Sequence, residues 1–341
     1  MNFAINGFGR IGRAIFRLAF CGSNRCLFIN EPNANNKSIC YFLKYDSLYG
    51  TFAADVIDNG DGTIAVRADE KYLRIVIYHY KDVAEFASRV PDDCIIIEAN
   101  GNSDHIDYYK NHVNKKSVFT FSSRMIVDEV IFGVNDIDFL RHGCNSNVIS
   151  GSICDTVAIA PVLKSVYSCA PIKETLITTM HPALSYQKVI DNYVEPTQNL
   201  SLGRQYIDSI IPKRTSAEEV LKRHFKHNIR CLSFRVPTES VCCADITFLS
   251  ESRIDSQRVL DSLNLCKYID FSYDDLVSID YKASHSSAVV DMRWFEMVSQ
   301  NILKIVIWYD NEYGYSSRIL DLMEYYYGQN NKENMPNNRN L

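Results

Sequence analysis

The first twenty residues constrain this chain more than any other stretch. Asn2-Phe-Ala-Ile-Asn6 reads as a short strand, and it runs directly into Gly7-Phe8-Gly9-Arg10-Ile11-Gly12. A helix follows through Arg13 to Phe20, with Ile11, Ile15, Leu18 and Ala19 at helical spacing. Three glycines between a strand and a helix are the context in which a G-x-G-x-x-G pattern binds a dinucleotide. A second strand, Cys26-Leu-Phe-Ile-Asn30, ends at Glu31, about twenty residues beyond the glycines. A carboxylate there accepts hydrogen bonds from ribose hydroxyls and repels a 2′-phosphate, so the pattern favours NAD over NADP. The competing reading, a glycine turn and a surface glutamate, makes no use of the flanking strand and helix.

Further strand-like runs follow at Tyr72–Tyr78, Cys94–Glu98, Ser117–Phe121 and Val130–Val134, with helical or loop segments between most of them. Asp58-Asn-Gly-Asp-Gly62 is a turn cluster at a hairpin tip. The sum is an α/β arrangement: a Rossmann-type, doubly wound, largely parallel sheet with helices on both faces. Ala99-Asn100-Gly101 then lies at the carboxyl edge of the sheet, where such folds bind ligands. The second half is patterned differently. Strand-like runs at Thr175–Met180, Cys231–Val236, Val241–Leu249, Leu276–Asp280, Ser287–Asp291 and Leu303–Trp308 are separated by few helices. That predicts a mainly antiparallel sheet in an α+β domain. Gln257–Leu263 is the clearest intervening helix, and Tyr315–Tyr327 is the last, ended by Gly328. From Asn330 the chain is polar and Asn-rich, and disorder is expected.

Composition narrows the function classes. With 341 residues, 46% of them hydrophobic, there is enough chain for two cored domains. The net charge of −5 and the scattered Lys and Arg residues argue against a nucleic-acid surface. No apolar run approaches the roughly eighteen residues of a membrane span, and the N-terminus lacks a signal-peptide pattern. The eleven cysteines are odd in number and include no C-x-x-C pair, so no metal site is expected. Reduced thiols in a cytoplasmic protein are the simplest account.

One cysteine has a distinctive setting. In Ile149-Ser-Gly-Ser-Ile-Cys154-Asp-Thr-Val157 a strand end and a small-residue turn lead into a helix whose first turn begins at Cys154. Unpaired amides and the helix dipole there favour thiolate, the nucleophilic form. A single intracellular cysteine is otherwise most often a small core residue.

Several motifs now agree in order and spacing. They are Ile5-Asn-Gly-Phe-Gly-Arg-Ile-Gly-Arg13, Leu43-Lys-Tyr-Asp-Ser47, Phe132-Gly-Val-Asn135, Cys154 with Pro161, His181, Phe234-Arg-Val-Pro-Thr238 and Trp308-Tyr-Asp-Asn-Glu-Tyr-Gly-Tyr315. From about residue 1 to 325 the chain resembles the glyceraldehyde-3-phosphate dehydrogenase family. Asn30-Glu31, Tyr78-His79-Tyr80, Gln187–Tyr193 and Leu276–Asp280 look more like its erythrose-4-phosphate dehydrogenase branch. The resemblance implies an NAD-binding domain over 1–152, a catalytic domain over 153–314, a C-terminal helix over 315–328 that returns to the first domain, and a tail over 329–341. It implies a cytoplasmic homotetramer acting on a phosphorylated aldose, with NAD as cofactor. By position, Cys154 is the nucleophile that forms a thiohemiacetal and then a thioester, and His181 is the acid–base group. Gly7, Gly9, Arg10, Ile11, Gly12, Glu31 and Ser123 match cofactor-binding positions, while Asn311 and Tyr315 match those near the nicotinamide. Thr156, Arg204, Thr215 and Arg235 match substrate-binding positions.

The chain also departs from the family pattern around its cysteine. Ile153 and Asp155 stand where hydroxyl side chains normally help to bind the attacking inorganic phosphate. A basic run after the histidine is reduced to Arg204, Leu184 replaces a threonine, and Tyr186 replaces an aspartate. The leading expectation is NAD-dependent oxidation of glyceraldehyde 3-phosphate or erythrose 4-phosphate, with hydrolysis favoured over phosphorolysis. An ordinary phosphorylating dehydrogenase and a non-catalytic NAD-binding paralogue with a regulatory or interaction role are the alternatives.

Overall fold

A computed structural model describes residues 1–111, 115–126, 128–142, 146–195 and 199–327. The chain forms two compact units, one from Met1–Val130, Ile137–Ser152 and the residues from Ser316 onward, the other from Ile131–Asp136 and Ile153–Tyr315. Gly328 and the 329–341 tail lie outside the described residues.

The first unit is built on an eight-stranded sheet. In spatial order the strands are Val148–Ser150, Ser117–Phe119, Ile95–Glu98, Asn2–Asn6, Arg25–Asn30, Lys71–Tyr78, Thr63–Ala68 and Asp55–Asp58. The first six run parallel. The last two add an antiparallel hairpin whose tip, Asp58 to Gly62, is where the turn cluster placed it. Strand order reverses beside Asn2–Asn6, because the next strand in sequence lies on one side and Ile95–Glu98 on the other. That reversal opens a crevice at the carboxyl ends of the strands. Parallel strands buried on both faces need apolar residues throughout, and Ile95, Ile96 and Ile97 supply them at 2% exposure or less.

One expected strand of this region is absent. Val130–Val134 folds as a turn instead, next to an isolated bridge between Glu129 and Ser150. The Asn135 side chain accepts from the Ile131 amide at 2.8 Å and Asp136 accepts from the Gly133 amide at 2.8 Å. Gly133 adopts φ +78°, which a strand residue would not. Side chains thus satisfy amides that a neighbouring strand would otherwise have bonded.

The second unit carries a seven-stranded mixed sheet in the order Ile211–Lys213, Asn228–Arg235, Ile172–His181, Cys242–Ser250, Ile302–Tyr309, Ala288–Ser299, Ile269–Ser272. Four of its pairings are antiparallel and two are parallel. The helices Cys154–Tyr167 and Ser256–Asn264 cover one face, with Ile159, Leu163, Val259, Leu263, Ile246 and Ile305 in a single core. The Cys154–Tyr167 helix is buried along almost its whole length, which fixes its N-terminus. Leu276–Asp280, expected as a strand, contains a 3-10 turn at Ser278–Tyr281. There the Asp280 carboxylate accepts from the Val277 amide at 2.8 Å, so this backbone bonds locally rather than to a sheet. Among the described residues no helix is long and apolar enough to cross a membrane.

Candidate active site

The glycine loop shows what it is shaped to hold. Gly7 has φ +95°, and a Cβ on it would lie 2.6 Å from the Asn100 amide nitrogen. A Cβ on Gly12 would lie 2.2 Å from the Gly7 carbonyl oxygen. Both positions therefore exclude any side chain, and the helix start sits tight against the sheet. Gly9 has nothing within 4 Å of a Cβ, leaving open space above the turn. Gly9 also caps the helix Arg10–Cys21 without any side-chain hydrogen bond. The first intrahelical bond is Arg13 N–H to the Gly9 carbonyl at 3.0 Å, so the Ile11 and Gly12 amides precede the helix ladder. Such amides, with the helix dipole, make an anion site.

A crevice of about 210 Å³ adjoins this loop and is lined by Gly7, Gly9, Glu31, Asn100 and His105 among others. The Glu31 carboxylate accepts from the amides of Phe8 at 2.8 Å and Asn33 at 3.1 Å, which fixes it at the crevice wall. A dinucleotide's pyrophosphate and ribose fit this donor and acceptor set. Arg10 turns its guanidinium to Asp46 at 3.0 Å, so it borders the site through its backbone. Ser123 lies in the loop after Ser117–Phe119, its hydroxyl accepting from the Met125 amide at 3.2 Å. Sequence reasoning missed the buried carboxylate beneath the crevice. Glu98, at 0% exposure, accepts from Asn6, Tyr109 and His105 at 2.8, 2.6 and 3.0 Å. It braces the two strands on either side of the reversal point, and Asn6 is tied in turn to Asn30 at 2.8 Å.

In the second unit, register brings the chemistry together. Ile172–His181 and Asn228–Arg235 are parallel neighbours, and His181 is paired with Arg235 at their carboxyl ends. Cys154 is the first residue of its helix, and its Sγ lies 3.9 Å from His181 Nε2. His181 Nδ1 is 2.7 Å from the Pro182 carbonyl oxygen, which can only accept. Nδ1 therefore carries the proton in the neutral ring, and Nε2 presents its lone pair to the thiol. Burial pulls the His181 pKa below its ordinary value, and Arg235 and Lys213 add to this, while Asp155 opposes it.

Asp155 is the decisive neighbour. It is buried at 6% exposure and points into the site. Its Oδ1 accepts from the Tyr309 hydroxyl at 2.9 Å and from the Cys154 thiol at 3.7 Å, and its Oδ2 accepts from the Thr215 hydroxyl at 3.4 Å. Burial of the sulfur pushes the Cys154 pKa well above the usual thiol range, and the Asp155 carboxylate pushes it further. The Asp155 amide and Arg235 pull the other way. The sulfur gains from a helix N-terminus, yet the carboxylate in the same first turn more than cancels that gain.

Arg235 is 7% exposed, and its Nη2 donates to the Tyr186 hydroxyl at 3.3 Å. Its Nε and Nη1 have no hydrogen-bond partner among the described residues, nor does the hydroxyl of Thr156, which is fully buried. A buried guanidinium with idle donors is built for an anion. Lys213 Nζ donates to the same Tyr186 hydroxyl at 2.7 Å. Burial alone would raise the Tyr186 pKa, but Lys213 and Arg235 outweigh it and bring it below the ordinary tyrosine value. A cavity of about 920 Å³ opens beside them, lined by Tyr186, Lys188, Lys213 and Arg214 among others. Arg204 is not drawn into this group. It pairs with Asp191 at 2.9 Å on the surface, with 68% of its side chain exposed. Asn311 and Tyr315, at 7% and 4% exposure, follow the strand Ile302–Tyr309. Asp310 anchors that turn by accepting from the amides of Glu312, Tyr313 and Ala283.

Lys213 and Tyr309 were missed at the level of sequence. Tyr309 falls inside the Trp308–Tyr315 motif, where strand alternation alone would have pointed it inward. Lys213 stands two positions before Thr215 and carried no comparable signal.

Comparison with known proteins agrees with both halves. Residues 1–105 match the NAD binding domain of glyceraldehyde 3-phosphate dehydrogenase, and residues 153–311 match its C-terminal domain. The cofactor is therefore NAD. The chain is 31% identical to glyceraldehyde-3-phosphate dehydrogenase 2 of Staphylococcus epidermidis, over 95% of both proteins. It is 30% identical to glyceraldehyde-3-phosphate dehydrogenase B of Aspergillus oryzae, over 94% of this chain and 96% of that protein. It is equally 30% identical to glyceraldehyde-3-phosphate dehydrogenase 3 of Saccharomyces cerevisiae, over 94% of this chain and 98% of that one.

Proposed function

The chain belongs to the glyceraldehyde 3-phosphate dehydrogenase family and is an NAD-dependent aldehyde-oxidising enzyme, and on that premise we propose that water, rather than inorganic phosphate, completes its reaction. The proposed substrate is a phosphorylated aldose, glyceraldehyde 3-phosphate or erythrose 4-phosphate. His181 Nε2 takes the thiol proton as Cys154 Sγ attacks the aldehyde carbon, giving a thiohemiacetal. The same nitrogen then manages the hydroxyl proton as the carbon is oxidised to a thioester. NAD, when bound, supplies the hydride acceptor. Arg235 holds the substrate phosphate through its idle donors, and Thr156 adds a hydroxyl. Water adds to the thioester carbonyl, the C–S bond breaks, and the carboxylic acid leaves with the thiol restored.

The observation that carries this reading is the placement of Asp155. A hydroxyl at this position would donate to an attacking phosphate. The carboxylate instead presents charge of the same sign, with Thr215 and Tyr309 already donating to it. Two unit charges about 4 Å apart repel by about 4 kcal/mol at an effective dielectric of about 20. Even a third of that costs about tenfold in phosphate occupancy. Water carries no charge and escapes this penalty. NADH formation from each sugar phosphate, with and without phosphate or arsenate, tests the proposal. Turnover that is independent of both supports hydrolysis, and turnover that requires either one overturns it.

Leu184, apolar where the family pattern has threonine, resembles the erythrose-4-phosphate branch at this position and favours erythrose 4-phosphate as substrate. The ratio of kcat/KM for the two sugars decides between them. A homotetramer in the cytoplasm belongs to the same proposal, and light scattering of the purified protein tests the assembly. One observation favours a second reading, a non-catalytic NAD-binding role. The Asp155 carboxylate lies 3.7 Å from the Cys154 sulfur. Burial and this carboxylate push the thiol up, and burial pulls the imidazole down, which disfavours the charged thiolate–imidazolium pair. Iodoacetamide that labels Cys154 stoichiometrically and quenches turnover would rule it out.

A further inference from the structure

We propose that Cys154, Asp155 and His181 together form a Zn²⁺ site, in which the metal reversibly masks the nucleophile. The inference stands apart from the choice between water and phosphate, because it concerns the protein before any aldehyde binds. One ligand atom from each of the three residues lies within 4.8 Å of the other two. The Sγ to Nε2 separation is 3.9 Å and the Sγ to Oδ1 separation is 3.7 Å. Ligands on a tetrahedral zinc, at about 2.0–2.3 Å from the metal, stand roughly 3.5 Å apart. The two separations that involve the sulfur are therefore within a few tenths of an ångström of this spacing. The third, between His181 and the carboxylate, lies within 4.8 Å and closes by a rotation of the Asp155 side chain. The fourth position is left for water, as in zinc sites with three protein ligands.

The orientation of each ligand is already fixed. His181 presents Nε2 because Nδ1 donates to the Pro182 carbonyl at 2.7 Å, the outer hydrogen bond that metal-bound histidines usually make. Asp155 is held by Tyr309 at 2.9 Å and Thr215 at 3.4 Å, each hydroxyl taking the place of a second-shell donor. A thiolate, an imidazole and one carboxylate suit zinc and its close neighbours, and disfavour magnesium and calcium. Arg235 and Lys213 are the cations that face the cluster. Against them stand a carboxylate and the thiolate formed on binding, so the dication meets two anions. Coordination replaces the S–H bond with an S–Zn bond and releases one proton to solvent. While bound, the metal occupies the sulfur lone pair that would attack the aldehyde and the Nε2 lone pair that would take the proton. Asp155 supplies the third ligand, and the hydroxyl usual at this position would be far weaker. The substitution that repels phosphate thus also completes a metal site.

Cobalt is the probe, because a thiolate bound to Co²⁺ gives a near-ultraviolet charge-transfer band and a tetrahedral centre gives strong visible bands. The full-length reduced protein, freed of metal by chelator, is titrated with Co²⁺ and then with Zn²⁺. The expected result is both sets of bands saturating at one equivalent per chain and vanishing as zinc displaces cobalt. Cys154→Ser should abolish the charge-transfer band. Asp155→Asn and His181→Asn should each weaken binding by about tenfold or more. NAD binding by every variant serves as the check on folding. Absence of the bands in the unaltered protein overturns the proposal, as does a charge-transfer band that survives Cys154→Ser. Equal cobalt affinity in Asp155→Asn would remove Asp155 from the site and overturn it equally.

Discussion

Replacing Asp155 with threonine restores a hydroxyl beside the nucleophile and removes the charge nearest to it. The carboxylate oxygen lies 3.7 Å from Cys154 Sγ. At an effective dielectric of about 20 a unit charge at that distance destabilises the thiolate by about 4 kcal/mol, an upper bound of roughly a thousandfold in thiolate fraction. Arg235 faces the same sulfur and offsets part of this. A working expectation is therefore a gain of about a hundredfold in thiolate near neutral pH. Intrinsic nucleophilicity falls as the thiol becomes more acidic, with a Brønsted slope of about 0.5, so roughly tenfold should survive as faster alkylation. The assay is the iodoacetamide rate constant at Cys154, measured in chelator across neutral to alkaline pH. The rate profile of the variant should move to lower pH, and its NADH production should become responsive to inorganic phosphate. An alkylation rate equal to or below that of the unaltered enzyme, with NAD binding intact, would refute the electrostatic reasoning. A faster rate with no phosphate response would retain the thiol argument and discard the account of phosphate exclusion.

Three further outcomes follow from the same geometry. Arg235→Leu removes the buried guanidinium with idle donors, and kcat/KM for the sugar phosphate should fall about tenfold to a hundredfold, a loss of about 1.5–3 kcal/mol; an unchanged value would show that the substrate phosphate sits elsewhere. Glu31→Gln keeps an acceptor for the Phe8 amide but removes the charge facing the ribose, so the preference for NAD over NADP should drop by about tenfold or more, as read by kcat/KM for both cofactors. Stability should decline at alkaline pH, because burial raises the thiols of Cys40 and Cys94 to about 11 and of Cys231 and Cys243 to about 12 from an ordinary 9.0. The folded state keeps protons that the unfolded chain releases, so this stabilisation is complete below pH 9.0 and is lost as pH rises through 11 to 12. Melting temperatures in reductant that stay flat over that range would contradict the assignment.

The parts of this molecule that were legible in the sequence are those whose chemistry is local. The glycine loop declares itself because Gly7 and Gly12 exclude a side chain for reasons of backbone contact, and such positions tolerate nothing else. The carboxylate at Glu31 is equally local, one residue past a strand that must be parallel and buried. Val130–Val134 and Leu276–Asp280 misled for the converse reason. Their apolar residues suit a strand pattern, but Asn135 and Asp136 just past the first run, and Asp280 at the end of the second, bond the backbone amides first.

Asp155 marks the boundary between the two cases. Its identity was visible, and so was the like charge it adds beside a thiol. Its direction was not, because direction depends on Tyr309 and Thr215, which reach it from a strand end and a loop of the same unit. Had the side chain turned to solvent, it would have been a modest helix-capping charge, contributing about 0.3–1 kcal/mol. Turned inward and held by two hydroxyls, the same carboxylate raises the thiol and, on the proposals above, opposes phosphate and offers a third ligand to a metal beside His181. The chemistry of this site therefore rests less on which residues it contains than on the Tyr309 hydroxyl that fixes Asp155. Tyr309→Phe should loosen all three effects together while leaving every charged group in place, read as faster iodoacetamide alkylation of Cys154, NADH production that responds to phosphate, and weaker Co²⁺ binding. No change in any of the three would show that the Tyr309 hydroxyl does not set the direction of Asp155.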